Sequence, residues 1–210
     1  MTADRAAGPG GMAAPPDRRP GAPPDRRPGA PPVLGVVLAG GQSRRMGAEK
    51  ALLPLAGQPL IARVIARLAP QVAELAINAN GDPARFADFG VAVLPDPLPD
   101  RPGPLAGVLA GLAHARARGI PAIVTVPCDA PFLPADLVAR LWTAAEPGGG
   151  AALAEASGAD GRLRRHPVFA LWPARAAAVL SARLRAGERG GGRGPRRAGG
   201  GAGAVRHRGR

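Results

Sequence analysis

Val33-Leu34-Gly35-Val36-Val37-Leu38-Ala39-Gly40-Gly41-Gln42-Ser43-Arg44-Arg45-Met46-Gly47, followed closely by Lys50, joins an apolar run to a glycine-rich basic one. Its first six residues are apolar, rich in β-branched side chains and closed off by glycines, which predicts a short buried strand. The segment behind it is small, glycine-rich and basic. A polyanion such as a nucleoside triphosphate needs that combination. Glycines let backbone N–H groups approach phosphates with no Cβ in the way, and cations offset the phosphate charge.

Working outward, strand and helix signals alternate. Leu60, Ile61, Val64, Ile65 and Leu68 recur at helical spacing, with Pro59 suited to a first helical turn. Residues 74–79 and 91–94 read as two more strands, the second ending at Pro95-Asp96. Leu105, Val108, Leu109 and Leu112 predict an amphipathic helix to Arg118. Residues 122–126 make a fourth strand, stopped by Pro127-Cys128-Asp129. A helix is expected over 134–145, weaker strands over 151–156 and 167–172, and an alanine-rich helix over 174–186. This alternation predicts an α/β fold around a mostly parallel sheet. Ligands of such sheets collect outside the carboxyl ends of the strands. The loop after Leu38, Asn78, Asp96 and Asp129 all fall at predicted strand ends.

The two ends of the chain differ from this middle. Residues 1–32 repeat an eight-residue unit, Ala14-Pro15-Pro16-Asp17-Arg18-Arg19-Pro20-Gly21 and again from Ala22. Eight residues are too few for a packed repeat, so a disordered, partly polyproline-like leader is expected. Residues 188–210 are an Arg/Gly run with Val205 as their one large aliphatic, and are expected to form neither strand nor buried helix. Of the net charge of +13, residues 1–32 carry +2 and residues 188–210 carry +6, leaving +5 on the 155 residues between. That middle domain is only mildly basic, as suits anionic small molecules. RNA binding through the tails is the competing class, but Tyr is absent and aromatics are 3% of the chain, so no stacking platform accompanies the charge. A single cysteine, Cys128, rules out an intrachain disulfide and favours an intracellular, cytoplasmic protein. No apolar run approaches the roughly 18–20 residues of a membrane span.

Each chemistry-bearing residue has a plainer alternative. The loop matches neither G-x-x-x-x-G-K-[ST] nor G-x-G-x-x-G, so the two standard glycine-loop motifs fail. Lys50 read alone is a solvated lysine; three residues beyond Gly47 it is better placed as a point charge on phosphates. One of Arg44 and Arg45 is a candidate phosphate clamp. Asn78 and Asp96 are turn-formers or contacts to a base or ribose. Asp129, at the carboxyl edge beside the phosphate loop, is a candidate Mg²⁺ ligand, against the alternative of capping the following helix. Cys128 has no histidine near it in sequence and reads as a structural thiol. His166, beside Arg164 and Arg165, suits an anionic acceptor; His114 and His207 read as bystanders. No His/Cys set has zinc spacing.

The constellation as a whole resembles the molybdenum cofactor guanylyltransferase family of nucleotidyltransferases. The pieces that carry it are LAGGQSRRMGAEKALLPLAGQPLI from Leu38, LAINANGDPARF from Leu75, VLPDPLPDRPGPLAGVLAGL from Val93, TVPCDAPFLPADLV from Thr125 and HPVFALWP from His166. They span about residues 33–187. The glycine loop alone also fits the cytidylyltransferase of the same cofactor and sugar-phosphate nucleotidyltransferases. The resemblance implies a Rossmann-like three-layer fold with helices on both sheet faces. It implies GTP bound by Leu38, Ala39, Gly40, Gly41, Lys50, Asn78, Asp96 and Asp129, with Asp129 holding Mg²⁺ and with Lys50, Asp129 and Arg45 doing the catalysis. It further implies the molybdopterin cofactor as acceptor, near His166, with molybdoenzyme maturation chaperones as partners, a monomer or weak oligomer, and neither nucleic acid nor membrane involved. The family's pattern includes about thirty more residues after Gly187, where this chain carries its Arg/Gly run. A shifted reading frame in a GC-rich gene would yield mainly such residues.

Overall fold

The computed structural model describes residues 32–40, 50–98, 103–145, 149–157, 160, 162–186 and 203–207, with the backbone alone for 157 and 203–207. The described chain runs β1 (Val33–Leu38), a 3-10 turn (Lys50–Leu52), β2 (Pro54–Leu55), β3 (Gln58–Pro59), α1 (Leu60–Leu68), β4 (Glu74–Asn78) and β5 (Ala92–Leu94). It continues through α2 (Pro104–Ala117), β6 (Ala122–Pro127), α3 (Leu137–Ala145), β7 (Ala152–Ser157), β8 (Leu163–Pro173), α4 (Ala176–Arg185) and β9 (Gly203–His207). Seven strands form one sheet in the order β5-β4-β1-β6-β8-β7-β9. The β5/β4, β4/β1, β1/β6 and β7/β9 ladders are parallel, and β8 runs antiparallel to both β6 and β7. Among the described residues no helix is long and apolar enough to cross a membrane.

The alternation of β1 sets the three layers, because successive side chains point to opposite faces. Val33 and Val37 join Ile61, Val64 and Leu68 of α1 and Leu137, Val138 and Leu141 of α3 in one core. Leu34 and Val36 join Val108 and Leu112 of α2 and Leu180 and Leu184 of α4 in the other. The central strands are thus buried on both faces, as a mostly parallel sheet requires.

Several elements depart from the expectations. Pro59 ends a small hairpin and precedes α1 instead of opening it. That hairpin turns at Ala56 and Gly57, both at positive φ, the geometry of a tight two-residue turn. Helix α2 is not amphipathic: every residue from Ala106 to Leu112 is buried, because α4 and the sheet enclose it from two sides. The helix expected from Pro134 starts at Leu137; Gln71, nearly buried, accepts from the Val138 N–H (3.1 Å) and donates to the Pro134 carbonyl (3.0 Å). Strand β8 begins at Leu163, four residues before the expected Pro167. The β7/β8 register shifts from Leu153↔Ala170 to Ala154↔His166, and Pro167, which has no N–H to give the ladder, lies within that break. The expectation that 188–210 holds no strand fails at β9, which pairs Gly203–His207 alongside Ala152–Ala156. Backbone pairing on an open sheet edge needs no apolar side chain, so composition does not exclude it. Of the expected leader (1–32) all but residue 32, and of the expected tail (188–210) all but 203–207, lie outside the described residues.

Candidate functional site

The strand order carries the site. β1 lies between β4 and β6, with Leu38 opposite Asn78 on one side and Pro127 on the other. From β1 the chain steps outward through α1 to β4 and on to β5, then returns through α2 to β6 on the other side of β1, so the strand order reverses here and this is the switch point where α/β sheets open a crevice. Backbone bonds extend the ladder just past the strand ends. The Ala39 N–H donates to the Asn78 carbonyl (2.8 Å), Cys128 N–H to Leu38 (3.1 Å) and Ala79 N–H to Leu94 (3.1 Å). Asp96, Asn78, the start of the glycine loop and Asp129 therefore stand in one row along the carboxyl edge, in the spatial order β5, β4, β1, β6.

One half of the row is a hydrogen-bonded cluster around Asp96. Asn78, 3% exposed, donates through Nδ2 to Asp96 Oδ1 (2.9 Å) and to the Leu94 carbonyl (3.0 Å). Asn80 donates through Nδ2 to Asp96 Oδ2 (2.6 Å), and its own Oδ1 accepts from the Asp96 N–H (3.0 Å). Gly40 borders the cluster: a Cβ there would sit 3.1 Å from Asn78 Oδ1 and 3.5 Å from Asn80 Nδ2. Gly107 of α2 closes it from beneath, since a Cβ there would overlap the Asn78 carboxamide and lie 2.8 Å from Leu38 Cδ2.

The other half is charged. Lys50 Nζ donates to Asp129 Oδ2 in a short ion pair between two solvent-accessible side chains. The hydrogen bond to Asp129 and the charge behind it raise the Lys50 pKa above its ordinary 10.5. Lys50 comes from the 3-10 turn after the loop and Asp129 from the turn after β6, so seventy-nine residues of sequence separate the partners. Arg67 Nη1 donates to the Leu133 carbonyl (2.9 Å), which with Gln71 ties the segment after Asp129 to α1.

Of the sequence-predicted residues, Leu38, Ala39, Gly40, Asn78, Asp96, Lys50 and Asp129 share this edge. Gly41, Arg44 and Arg45 lie outside the described residues. His166 is at the same end of the sheet, four residues beyond the Thr125↔Ala170 pair, and packs edge-on against Phe169 with ring centroids 5.9 Å apart. Its neighbours are not a free cationic pair: Arg164 bonds Asp160 (2.9 Å) and Arg165 bonds Glu155 (3.1 Å). Sequence reading missed Asn80. Its signal was the spacing Asn78-x-Asn80 at a strand end, which puts both amides on one side of extended backbone. Among the described residues no group of three or more His, Cys, Asp or Glu is arranged to hold a metal ion. A single accessible carboxylate such as Asp129 is nevertheless a donor set compatible with Mg²⁺, which takes one or two protein carboxylates and fills its shell with other oxygens and water.

The MobA-like NTP transferase domain model matches residues 35–199. A molybdenum cofactor guanylyltransferase of Cereibacter sphaeroides is 55% identical over 157 residues, 74% of this chain and 77% of that one. A protein of the same name from Mesorhizobium japonicum is 52% identical over 144 residues, 67% of each chain. Among solved structures, molybdopterin-guanine dinucleotide biosynthesis protein A of Archaeoglobus fulgidus superposes with a TM-score of 0.55 at 23% identity, covering 75% of each chain. That last likeness bears on the fold. With the domain match and the identity over three quarters of its length, the chain belongs to the molybdenum cofactor guanylyltransferase family, and is a nucleotidyltransferase.

Proposed function

We propose that the chain transfers GMP from GTP to the molybdopterin form of the molybdenum cofactor, releasing pyrophosphate and forming the guanine dinucleotide cofactor. The observation that carries this reading is the row at the sheet edge, with an amide–carboxylate cluster on one side of the glycine loop and the Lys50–Asp129 pair on the other. The cluster suits a nucleoside and the pair suits phosphates. The name borne by the close relatives selects GTP and the acceptor.

The chemistry asks little covalent work of the protein. An oxygen of the acceptor's terminal phosphate, already ionised, forms a bond to the α-phosphorus of GTP. The bond from that phosphorus to the α,β-bridging oxygen breaks, and the electron pair leaves with pyrophosphate. No Ser–His pair is needed. Asp129 would hold Mg²⁺, which supplies charge neutralisation on the triphosphate when bound. Lys50 is held as a cation by its carboxylate partner and offsets charge on the phosphates. The backbone N–H of Gly40, with Gly41 and Arg45 after it in sequence, would complete the phosphate cradle, while Ala39 spends its own N–H on the Asn78 carbonyl and so fixes where the loop leaves the sheet. Asn78 and Asp96 orient the nucleoside, and His166 faces the acceptor. Positioning and fixed charge supply the rate. The same reading takes molybdoenzyme maturation chaperones as recipients of the product and the cytoplasm as the compartment.

Nucleotide-dependent pyrophosphate release with molybdopterin cofactor present tests this reading. Release with GTP, dependent on the cofactor and on Mg²⁺, supports it. Release with CTP and none with GTP would favour the cytidylyl alternative and remove the guanylyl assignment.

A further inference from the structure

Asn80 belongs to no strand or helix and nothing in the reaction asks for it, yet its side chain spends both its polar ends on one residue. Its Nδ2 donates to Asp96 Oδ2 at 2.6 Å, and its Oδ1 accepts from the Asp96 backbone N–H at 3.0 Å. These two bonds close a ring that fixes the carboxylate relative to its own backbone. Asn78 takes the other oxygen, Oδ1, at 2.9 Å. Both oxygens are thus gripped by amides that share a face of the same extended segment, and each oxygen retains a lone-pair direction for a ligand. The segment carrying Asn80 is anchored in turn. Arg85 donates to the Asn80 carbonyl (2.6 Å) and to the Asp82 carbonyl (2.9 Å), and Asp82 caps the next turn through the Ala84 N–H (2.9 Å). Gly40 lies against the assembly, with space for a Cβ only 3.5 Å from Asn80 Nδ2.

We infer that Asn80 is a positioning residue for nucleotide recognition, acting through Asp96 by holding its carboxylate in one orientation beside Gly40. The residue type fits the task. Only a carboxamide of this length both donates to the carboxylate and accepts from the N–H one bond system away. Aspartate would keep the acceptor and lose the donor, and alanine would lose both. This inference rests on the reading of Asp96 as part of the nucleotide site.

A double-mutant cycle on the full chain separates the two ideas. GTP affinity is measured by titration calorimetry with Mg²⁺ for the parent, Asn80→Ala, Asp96→Ala and the double variant, with steady-state kinetics and thermal midpoints alongside. Asn80→Ala should weaken GTP binding about tenfold, the size of one charge-assisted hydrogen bond. It should leave kcat at saturating GTP within about twofold, as loss of uniform binding does. Placed in the Asp96→Ala background, the same change should cost less than about twofold, because its route of action is gone. Asn80→Asp keeps the acceptor for the Asp96 N–H and preserves shape. It should bind GTP more weakly than Asn80→Ala, since a second carboxylate then faces Asp96. An Asn80→Ala penalty that persists in full without Asp96, or that falls on kcat alone, would overturn the inference while leaving the nucleotide site intact. Unchanged GTP affinity in Asp96→Ala would overturn both.

Discussion

Gly107→Ala tests how closely α2 must approach the Asn78–Asp96 cluster at the carboxyl edge of the sheet. By helix propensity alone the change should stabilise the protein, by about 0.8–1 kcal/mol. The structure reverses that sign. A Cβ at position 107 would overlap Asn78 Oδ1, lie 2.7 Å from Asn78 Cγ and 2.8 Å from Leu38 Cδ2. Neither neighbour yields without cost, because Asn78 is buried and hydrogen-bonded and the Leu38 side chain is packed against the core that α2 shares with α4. The side chain with a rotation available is Asn78. Turning it away breaks a charge-assisted bond to Asp96, worth about 1.5–3 kcal/mol, and a neutral bond to Leu94, worth about 0.5–1.5 kcal/mol. After the propensity gain, a net destabilisation of about 1–3.5 kcal/mol remains. For a domain of this size that is a fall in thermal midpoint of about 4–8 °C at the centre of the range. Differential scanning calorimetry gives the midpoint, and GTP titration should show weakened binding in the same variant. A midpoint equal to or above that of the parent would mean that the helix stands far enough from Asn78 to admit a methyl group, against the packing described.

Three further outcomes follow from the site and its support. Asp129→Asn should lower kcat about 10²–10³-fold, the scale of losing a fixed charge at the reacting phosphates; calorimetry should find the thermal midpoint nearly unchanged, because the side chain is accessible. Lys50 has its pKa raised by Asp129, so the pairing is fully present below the ordinary value of 10.5 and is lost as pH rises through the higher folded-state value. Nitrogen-detected NMR of the Lys50 ammonium should therefore titrate above 10.5 in the parent and closer to 10.5 in Asp129→Asn; equal midpoints in the two would disprove the coupling. Thr125→Val should cost about 1–3 kcal/mol, since it leaves the buried Trp172 Nε1–H without its acceptor and the half-buried Val168 carbonyl without its donor; unfolding followed by tryptophan fluorescence measures that loss, and GTP affinity should stay within about twofold.

What could be read from the sequence were the features written into local runs. β1, β4 and β6 are short, β-branched and bounded by glycine, asparagine or proline, and their ends carry Gly40, Asn78 and Asp129 where the expectations put them. Features set by distant neighbours were not legible. α2 looked amphipathic because its sequence does not reveal that α4 covers its outer face. The start of β8 was hidden because Arg164, Arg165 and His166 are polar, and only pairing with Ala154–Ala156 of β7 makes that stretch a strand. Asn80 escaped notice because its partner is sixteen residues away, across the β4/β5 ladder. Lys50 and Asp129 were each named from the sequence, but their pairing depends on β1 and β6 being neighbours in the sheet.

Transfer of a guanylyl group at this edge is tested by the position of the label in GTP. The enzyme is incubated with molybdopterin cofactor, Mg²⁺ and GTP labelled at either the α- or the γ-phosphorus. The α-label should enter the pterin product in a one-to-one ratio with pyrophosphate, the γ-label should appear only in pyrophosphate, and Asp129→Asn should slow both about 10²–10³-fold. Transfer of the γ-label to the acceptor, or of no label at all while CTP labelled at the α-phosphorus is consumed, would contradict guanylyl transfer.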